Sequence, residues 1–181
     1  MCEETKKGPS LPQIRMKRPN LDGLPPWPDL APGYDLRSAR EEDASILADL
    51  MAVAFNDNGW TPQRVLEQLL GNPACQKTFV IVKGHHAVAT ATLLLEPEQH
   101  PGSGILHWVA ANPSHHGKKL GLAVSLAVLH AAKELGCKYS LLLTDDWRLP
   151  AIKTYLRLGY EPDCWHESHK ARWQEILKKI G

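Results

Sequence analysis

Cysteine is scarce in this chain, and its few occurrences are not spaced as metal or disulfide motifs. Cys2, Cys75, Cys137 and Cys164 are scattered along 181 residues, and no two of them form a C-x-x-C pair. This scatter excludes the cysteine framework of a small secreted domain and the paired ligands of a zinc ribbon. The nine histidines show no metal-ligand spacing either. We therefore expect no metal, and we expect a protein of the reducing cytoplasm.

Long apolar runs and a strong net charge are also missing. No segment reaches the ~18 apolar residues of a membrane-crossing helix, and the basic N-terminal residues lack the apolar core of a signal peptide. A formal net charge of +1 gives no general reason for nucleic-acid binding. We expect neither a membrane nor a nucleic acid as a partner. The length of 181 residues favours one domain.

Proline is concentrated at the N-terminus, where residues 1–33 hold seven of the fourteen prolines. Because proline lacks an N–H group and fixes φ, we predict an extended arm there, not a helix or a central strand. The alternative over residues 1–18 is a disordered leader. The predicted domain then covers residues 34–181.

After the arm, strand-like and helix-like patterns alternate in the order β-α-α-β-β-β-α-β-α-β. This order predicts a mixed sheet with helices packed against it. The predicted strands cover residues 34–39, 79–82, 87–95, 105–111 and 139–143, with an edge strand after residue 162. The predicted helices cover residues 41–55, 63–70, 120–135, 150–158 and 170–180.

The most informative segment is the turn at residues 113–121, PSHHGKKLG. It follows the strand pattern of residues 105–111 and opens the helix pattern that begins at residue 120. The first backbone N–H groups of a helix have no partner within the helix, and the helix dipole adds partial positive charge at the same point. Such a turn predicts an anion site, most naturally for phosphate. Lys118 and Lys119 would add charge to it.

Two segments together resemble the GNAT superfamily of acyl-CoA-dependent N-acyltransferases. Residues 109–121 look like the family's pyrophosphate motif, in which a strand is followed by (Arg/Gln)-x-x-Gly-x-(Gly/Ala) and then a helix. Residues 149–160 are similar to the family's Ala-x-x-x-Tyr-x-x-x-Gly-(Phe/Tyr) signature. The pattern Arg-x-x-Arg-Glu-x-Asp at residues 37–43 matches its first strand and helix. The resemblance covers residues 34–165.

The resemblance implies one α/β domain of the α+β type, with a central, mostly antiparallel sheet flanked by helices. Its fourth and fifth strands, here residues 105–111 and 139–144, would splay apart and hold the pantetheine arm of acetyl-CoA, the co-substrate. The implied cofactor-binding residues are Trp108, Val109, Ala110, His116, Gly117, Lys118, Lys119, Leu120, Gly121 and Tyr155.

Three residues depart from the family's usual pattern. His116 stands where arginine or glutamine is usual, Lys119 where glycine is usual, and Arg148 where asparagine is frequent. Backbone amides grip the pyrophosphate in this motif, so the first two changes need not remove the site. Arg148 affects one contact that the family makes with the pantetheine arm.

The resemblance also implies catalytic residues. Tyr155 would give a proton to the departing thiolate, and the alternative is a core tyrosine that packs on the sheet. His107 is a candidate base if strand register turns it toward the cleft, and otherwise it is a structural histidine. Asp145 or Asp146 would accept a proton or hold a cationic substrate, and the alternative is turn and helix-capping aspartates.

The predicted function is transfer of an acetyl group from acetyl-CoA to a primary amine of a small molecule or a peptide. The three departures from the family pattern keep open an alternative, a non-catalytic regulatory module that binds acyl-CoA. One fold hosts many acceptors, so the fold does not select the amine. A homodimer is compatible with the sequence.

Overall fold

One seven-stranded sheet forms the centre of the computed structural model, which describes residues 11–181. The strand order is β2-β3-β4-β5-β6-β1-β7. Neighbouring strands are antiparallel except β5 and β6, which are parallel. The mixed, mostly antiparallel sheet that the sequence predicts is therefore confirmed. The strands are β1 (Ile14–Arg18), β2 (Tyr34–Ser38), β3 (Cys75–Lys83), β4 (His86–Leu94), β5 (Ser103–Ala111), β6 (Tyr139–Thr144) and β7 (Glu161–Asp163).

Helices cover both faces of the sheet. The helices are α1 (Ala44–Phe55), α2 (Pro62–Val65), α3 (Leu120–Glu134), α4 (Leu149–Arg157) and α5 (His169–Ile180). A π-helical turn, Leu66–Leu70, continues α2. One apolar core lies under α1 and α2, and a larger core joins α3, α4 and α5 to the opposite face.

Small residues let α3 lie directly on the middle of the sheet. A Cβ atom added at Gly104 of β5 would lie 2.7 Å from the Cβ of Ala132 on α3. Ala123, Ala127 and Ala131 are also buried along this helix. This close contact fixes α3, and with it the turn before α3, relative to β5.

Strand β1 corrects the prediction for the proline-rich segment. Residues 14–18 contain no proline, and they pair with β6 on one side and with β7 on the other. Ile14 and Met16 are fully buried in the larger core, which stabilises this pairing. The prediction that the segment holds no central strand is therefore wrong. Residues 1–10 of the predicted leader lie outside the described residues, and the division at residue 33 stays a prediction.

The start of α1 depends on one buried carboxylate. Asp43 accepts two hydrogen bonds of 2.7 Å from the guanidinium of Arg37 and one of 2.8 Å from the backbone N–H of Arg40. The side-chain hydrogen bond from Arg37 is the main reason that the pKa of Asp43 lies below its ordinary value of 3.8. The pair joins β2 to the first turn of the helix.

We expect Asp43→Asn to lower the free energy of unfolding by about 2 kcal/mol at neutral pH, because charge-assisted hydrogen bonds are lost. Since the folded-state pKa is lowered, the carboxylate stabilises the fold above pH 3.8 and loses this effect as the pH falls through the folded-state value. The difference in the free energy of unfolding between the parent protein and Asp43→Asn should therefore become smaller in acid. Urea unfolding at several pH values measures it. Asp49→Asn, at an exposed position of α1, is the control, and an equal loss in both variants would contradict the role of Asp43.

Candidate active site

A wedge opens between β5 and β6. The two strands pair only at Ser103 with Tyr139, Gly104 with Ser140, and Ile105 with Leu141. Beyond these positions the ladder between β5 and β6 ends, whereas β6 pairs with β1 along its other edge as far as Thr144. The predicted splay of the fourth and fifth strands of the domain is therefore confirmed.

A β-bulge on β5 lies at the mouth of the wedge. His107 pairs with Thr92 and Ala110 pairs with Thr90, so two residues, Trp108 and Val109, face one residue of β4. Trp108 has φ of +47°, in the left-handed region that non-glycine residues rarely adopt. A bulge leaves backbone polar groups free of the ladder, and here they lie at the edge of the wedge. The sequence pattern of β5 carries no signal for this irregularity.

Aromatic packing holds the bulge in its strained conformation. The Trp108 ring centre lies 4.9 Å from that of Trp60 and 5.6 Å from that of Phe55, both in edge-on contacts. Arg148, from the turn after β6, places its guanidinium 4.9 Å from the Phe55 ring centre. Contacts from α1 and from the loop before α2 thus converge on Trp108, and Arg148 packs on one of the two rings that hold this strained residue in place.

The turn before α3 has the backbone shape of a phosphate-binding turn. Gly117 has φ of +78° and Lys119 has φ of +56°. Lys119 thus adopts the left-handed conformation that suits the glycine usual at its position. No side chain among residues 11–181 caps α3, so the first N–H groups of this helix are left without a side-chain partner there. A Cβ atom added at Gly121 would meet nothing within 4 Å, so the fold itself does not require glycine there.

Three lysine side chains give the region of this turn a positive charge. Lys118 and Lys83 place their ammonium groups 5.8 and 5.1 Å from the ring centre of Tyr34. The Tyr34 hydroxyl and His115 Nδ1 form a hydrogen bond of 2.8 Å, which ties the turn to β2. Among residues 11–181, Lys83, Lys118 and Lys119 form no ion pair with a carboxylate. The turn therefore combines open N–H groups with unneutralised cations, which suits a phosphate.

Tyr155 presents an unpaired phenol on the α3 side of the wedge. Its ring is buried within the larger core, 6.1 Å from the ring centre of Tyr160. The Tyr160 hydroxyl is bonded to Ser140 Oγ at 2.6 Å, whereas the Tyr155 hydroxyl forms no hydrogen bond with the described residues and is not fully enclosed. Burial raises the pKa of Tyr155 to about 12, and Arg148 acts in the opposite direction. The phenol is therefore protonated at neutral pH.

His107 lies on the opposite, α1 side of the sheet. Its partner Thr92 pairs with Thr78, which is two residues from Val80 of the α1 core and so shares its face. Burial lowers the pKa of His107 below its ordinary value of 6.5, although Glu96 raises it in part. The imidazole is therefore neutral at neutral pH, and it can accept a proton. Tyr155 and His107 thus flank the wedge from its two faces.

The two aspartates after β6 are both engaged in local contacts. Asp145 accepts hydrogen bonds from Arg148 Nε at 3.1 Å and from Gln13 Nε2 at 3.0 Å. Asp146 forms an ion pair with Arg172 of α5. These contacts match the turn role that the sequence left open for them. The catalytic role of Asp145 stays a prediction.

A cavity of about 300 Å³ adjoins the wedge on the side of His107. Its polar lining groups are Arg15, Glu96, His100 and His107. Glu96 carries no signal in the sequence, because one glutamate in a loop follows no pattern. The strand pairing of β1 with β6, and the loop after β4, bring these groups together.

Residues 11–181 hold neither a metal-ion cluster nor a membrane-spanning helix. Within the part of the chain that the structure describes, no three or more His, Cys, Asp or Glu side chains are grouped to hold a metal ion. No helix of residues 11–181 combines the length and the apolar character needed to cross a membrane.

Comparisons with known proteins agree with this geometry. Residues 38–160 match the acetyltransferase (GNAT) family. The chain is 34% identical over 65 residues to the mycothiol acetyltransferase of Nocardia farcinica, and the match covers 36% of this chain and 22% of that protein.

Solved structures share the fold. A GCN5-related N-acetyltransferase from Sphaerobacter thermophilus is similar with a TM-score of 0.67 and 21% identity, over 84% of this chain and 50% of that one. The glucosamine-6-phosphate N-acetyltransferase of Arabidopsis thaliana has a TM-score of 0.57 and 17% identity, over 72% of this chain and 92% of that one. At these identities the likeness concerns the fold. The chain spans half of the Sphaerobacter structure and about a fifth of the mycothiol acetyltransferase.

The family match covers most of the splayed sheet, the turn before α3 and the helix that carries Tyr155. It confirms the resemblance drawn from the two motifs and supports the prediction of an acyltransferase. The chain belongs to the acetyltransferase (GNAT) family.

Proposed function

We propose that this chain is an N-acetyltransferase that moves the acetyl group of acetyl-CoA to a primary amine of a small molecule or a peptide. The geometry of the wedge is the main support for this proposal. The turn before α3 lies at the open end of the wedge, and Tyr155 and His107 lie on its two faces. Family membership supports acetyl transfer. The glucosamine-6-phosphate N-acetyltransferase among the structural relatives has, by its name, an amine as acceptor.

The residues present suit a coenzyme A thioester. The open N–H groups of α3, the unpaired Lys118 and Lys119, and the free space at Gly121 suit its pyrophosphate. The wedge suits the pantetheine arm, and the bulge residues Trp108 and Val109 offer backbone groups to pair with it and to polarise its carbonyl. When bound, acetyl-CoA supplies a thioester carbonyl carbon and a thiolate leaving group.

The proton transfers follow from the two flanking residues. A primary ammonium must lose one proton before its nitrogen can attack, and the neutral imidazole of His107 accepts that proton. The nitrogen then bonds to the carbonyl carbon, the carbon–sulfur bond breaks, and Tyr155 donates its proton to the sulfur. The nitrogen loses a second proton, which restores the phenol through water. The products are an amide and a thiol, and His107 releases one proton to solvent.

We assign the base to His107 and not to Asp145. The Asp145 carboxylate already accepts hydrogen bonds from Arg148 and Gln13, whereas no hydrogen bond among residues 11–181 involves the His107 imidazole. Position is the first requirement for a general base, and His107 lines the cavity beside the wedge whereas Asp145 does not.

We expect the double variant Lys118→Glu, Lys119→Glu to weaken acetyl-CoA binding by about tenfold or more at low salt, because two attractive charges become repulsive. The loss should shrink as ionic strength rises. Isothermal titration calorimetry at two salt concentrations measures it. The double variant Lys178→Glu, Lys179→Glu, at exposed positions of α5, changes the net charge equally and is the control. If Lys118→Glu, Lys119→Glu binds acetyl-CoA with unchanged affinity, these two lysines are not part of the site.

A thiol-release assay separates the enzyme from a regulatory module that only binds acyl-CoA. The protein is mixed with acetyl-CoA and a broad panel of amines, and free thiol is followed with time. Release that depends on the amine supports the proposal. Binding of acetyl-CoA by calorimetry, with no thiol release across the panel, would instead favour the regulatory module.

We also propose that the protein resides in the cytoplasm. Cys75, Cys137 and Cys164 are free thiols, as expected for a protein of a reducing compartment. A homodimer stays a prediction from the sequence.

A further inference from the structure

The cavity beside the wedge has mostly apolar walls. Its volume of about 300 Å³ lies at the lower end of the range for small-molecule sites. The apolar lining residues are Leu94, Ile105, Leu141, Leu142, Leu143 and Trp165. Leu94, Ile105 and Leu141 also form a small buried cluster of their own, separate from the two main cores. The floor of the cavity is therefore a preformed apolar surface that offers no side-chain hydrogen bonds.

One uncompensated negative charge lines this cavity. Arg15 is neutralised, because its Nε lies 2.7 Å from Asp163 Oδ2, and its guanidinium also packs 5.5 Å from the ring centre of Trp165. Glu96 forms no ion pair and no side-chain hydrogen bond with any residue of 11–181. Its charge reaches His107, whose pKa it raises. The cavity thus favours a cation next to the proposed base.

We propose that this cavity binds the acceptor, and that the acceptor is a small primary amine on a hydrocarbon skeleton. This inference rests on the proposed function. Glu96 holds the ammonium group beside His107, and the leucine and isoleucine side chains cover the hydrocarbon part. Each CH₂ group that leaves water adds to such binding.

The same features select against two other kinds of amine. A carboxylate or phosphate close to the amino group meets the Glu96 charge, and the one arginine of the cavity is already paired with Asp163. A sugar brings hydroxyl groups against the apolar floor, where each buried hydroxyl loses its hydrogen bonds to water and gains no partner. The cavity therefore discriminates by charge and by polarity.

The test compares pentylamine, norleucine and glucosamine 6-phosphate as acceptors. Pentylamine and norleucine differ only in the carboxylate next to the amino group. We expect kcat/KM from thiol release to be at least about tenfold higher for pentylamine than for either of the others. Equal or better use of norleucine or glucosamine 6-phosphate overturns this inference and leaves acetyl transfer standing. Thiol release with none of these three amines, but with another amine of the broad panel, also overturns this inference and leaves acetyl transfer standing. Thiol release with no amine of the panel, despite acetyl-CoA binding, contradicts both.

A pair of variants tests the role of Glu96 directly. We expect Glu96→Gln to raise the KM for pentylamine at least about tenfold, with the Kd for acetyl-CoA unchanged, because only the contact with the ammonium is lost. The same variant should narrow the difference between pentylamine and norleucine. Glu98→Gln is the matched control, since Glu98 is exposed in the same loop and does not line the cavity. An unchanged KM in Glu96→Gln, or an equal rise in both variants, overturns the assignment.

Discussion

The Tyr155→Phe variant is expected to turn over about 100-fold more slowly than the parent protein, with little change in its affinity for acetyl-CoA. General acid catalysis contributes about 10²–10⁴-fold to a rate, and this substitution removes one hydroxyl group. The Tyr155 hydroxyl has no hydrogen-bond partner among the described residues, so its removal leaves no buried group unsatisfied. The buried ring, which does the packing, is retained.

Steady-state thiol release measures the turnover, and calorimetry measures the affinity. Tyr160→Phe is the matched control, because it removes the hydroxyl that is bonded to Ser140. Ser140 Oγ still donates to Gly104 at 2.7 Å, so we expect a stability loss of about 1 kcal/mol and a nearly normal rate. Equal losses of rate and affinity in Tyr155→Phe would contradict the acid role and favour packing.

The contribution of Tyr155 to the rate should be lost as the pH rises and not as it falls. An acid donates only while it is protonated, and burial raises the pKa of Tyr155 to about 12. Tyr155 therefore keeps its proton across the neutral range and loses it only as the pH rises toward that value.

Gly121→Val is expected to reduce acetyl-CoA affinity by about 100-fold while leaving the free energy of unfolding nearly unchanged. A Cβ atom at this position meets nothing within 4 Å in the protein itself, and valine has a slightly better helix propensity than glycine. The open space lies where the pyrophosphate would approach the backbone. A branched side chain there blocks the ligand without disturbing the fold.

Calorimetry with acetyl-CoA and urea unfolding together test this prediction. Gly121→Ala is the graded control, because the motif accepts glycine or alanine at this position. We expect the alanine variant to bind within about tenfold of the parent protein. An unchanged affinity of Gly121→Val for acetyl-CoA would show that the pyrophosphate does not bind at the start of α3. A large loss of stability would show that glycine serves the fold.

Local signals in the sequence predicted the parts of the fold that neighbouring residues determine. Thr61 and Pro62 lie just before the helix predicted over residues 63–70, and both residue types favour a helix start. Thr61 Oγ1 accepts a hydrogen bond of 3.1 Å from the backbone of Arg64. Leu120, Val124, Ala127 and Ala131 follow helical spacing, and all four are buried. In such segments the chemistry of a few adjacent residues determines the local structure.

Strand β1 was missed because its partners are distant in sequence. Ile14 pairs with Thr144, and Arg15 pairs with both Leu143 and Asp163. Five residues between prolines carry too weak a pattern to reveal such pairing. The cavity that includes Arg15 depends on this strand, so it was missed as well.

The backbone of the candidate site also follows from packing between distant residues. The left-handed conformation of Trp108 is held by Phe55 and Trp60, and no local residue preference favours it. Lys119 has φ of +56°, in the region that favours glycine, which is the usual residue at its position. A lysine carries no signal for this conformation, so it could be learned only from the structure.

Transfer of an isotope-labelled acetyl group tests the central claim most directly. The protein is incubated with acetyl-CoA labelled in the acetyl group and with pentylamine, and the products are separated and identified by mass spectrometry. We predict that the label appears as an amide on the amine nitrogen, in step with free thiol, and that Tyr155→Phe slows both about 100-fold. If the label stays on the thioester, or is released only as acetate, with pentylamine and with every other amine of the thiol-release panel, the claim is contradicted.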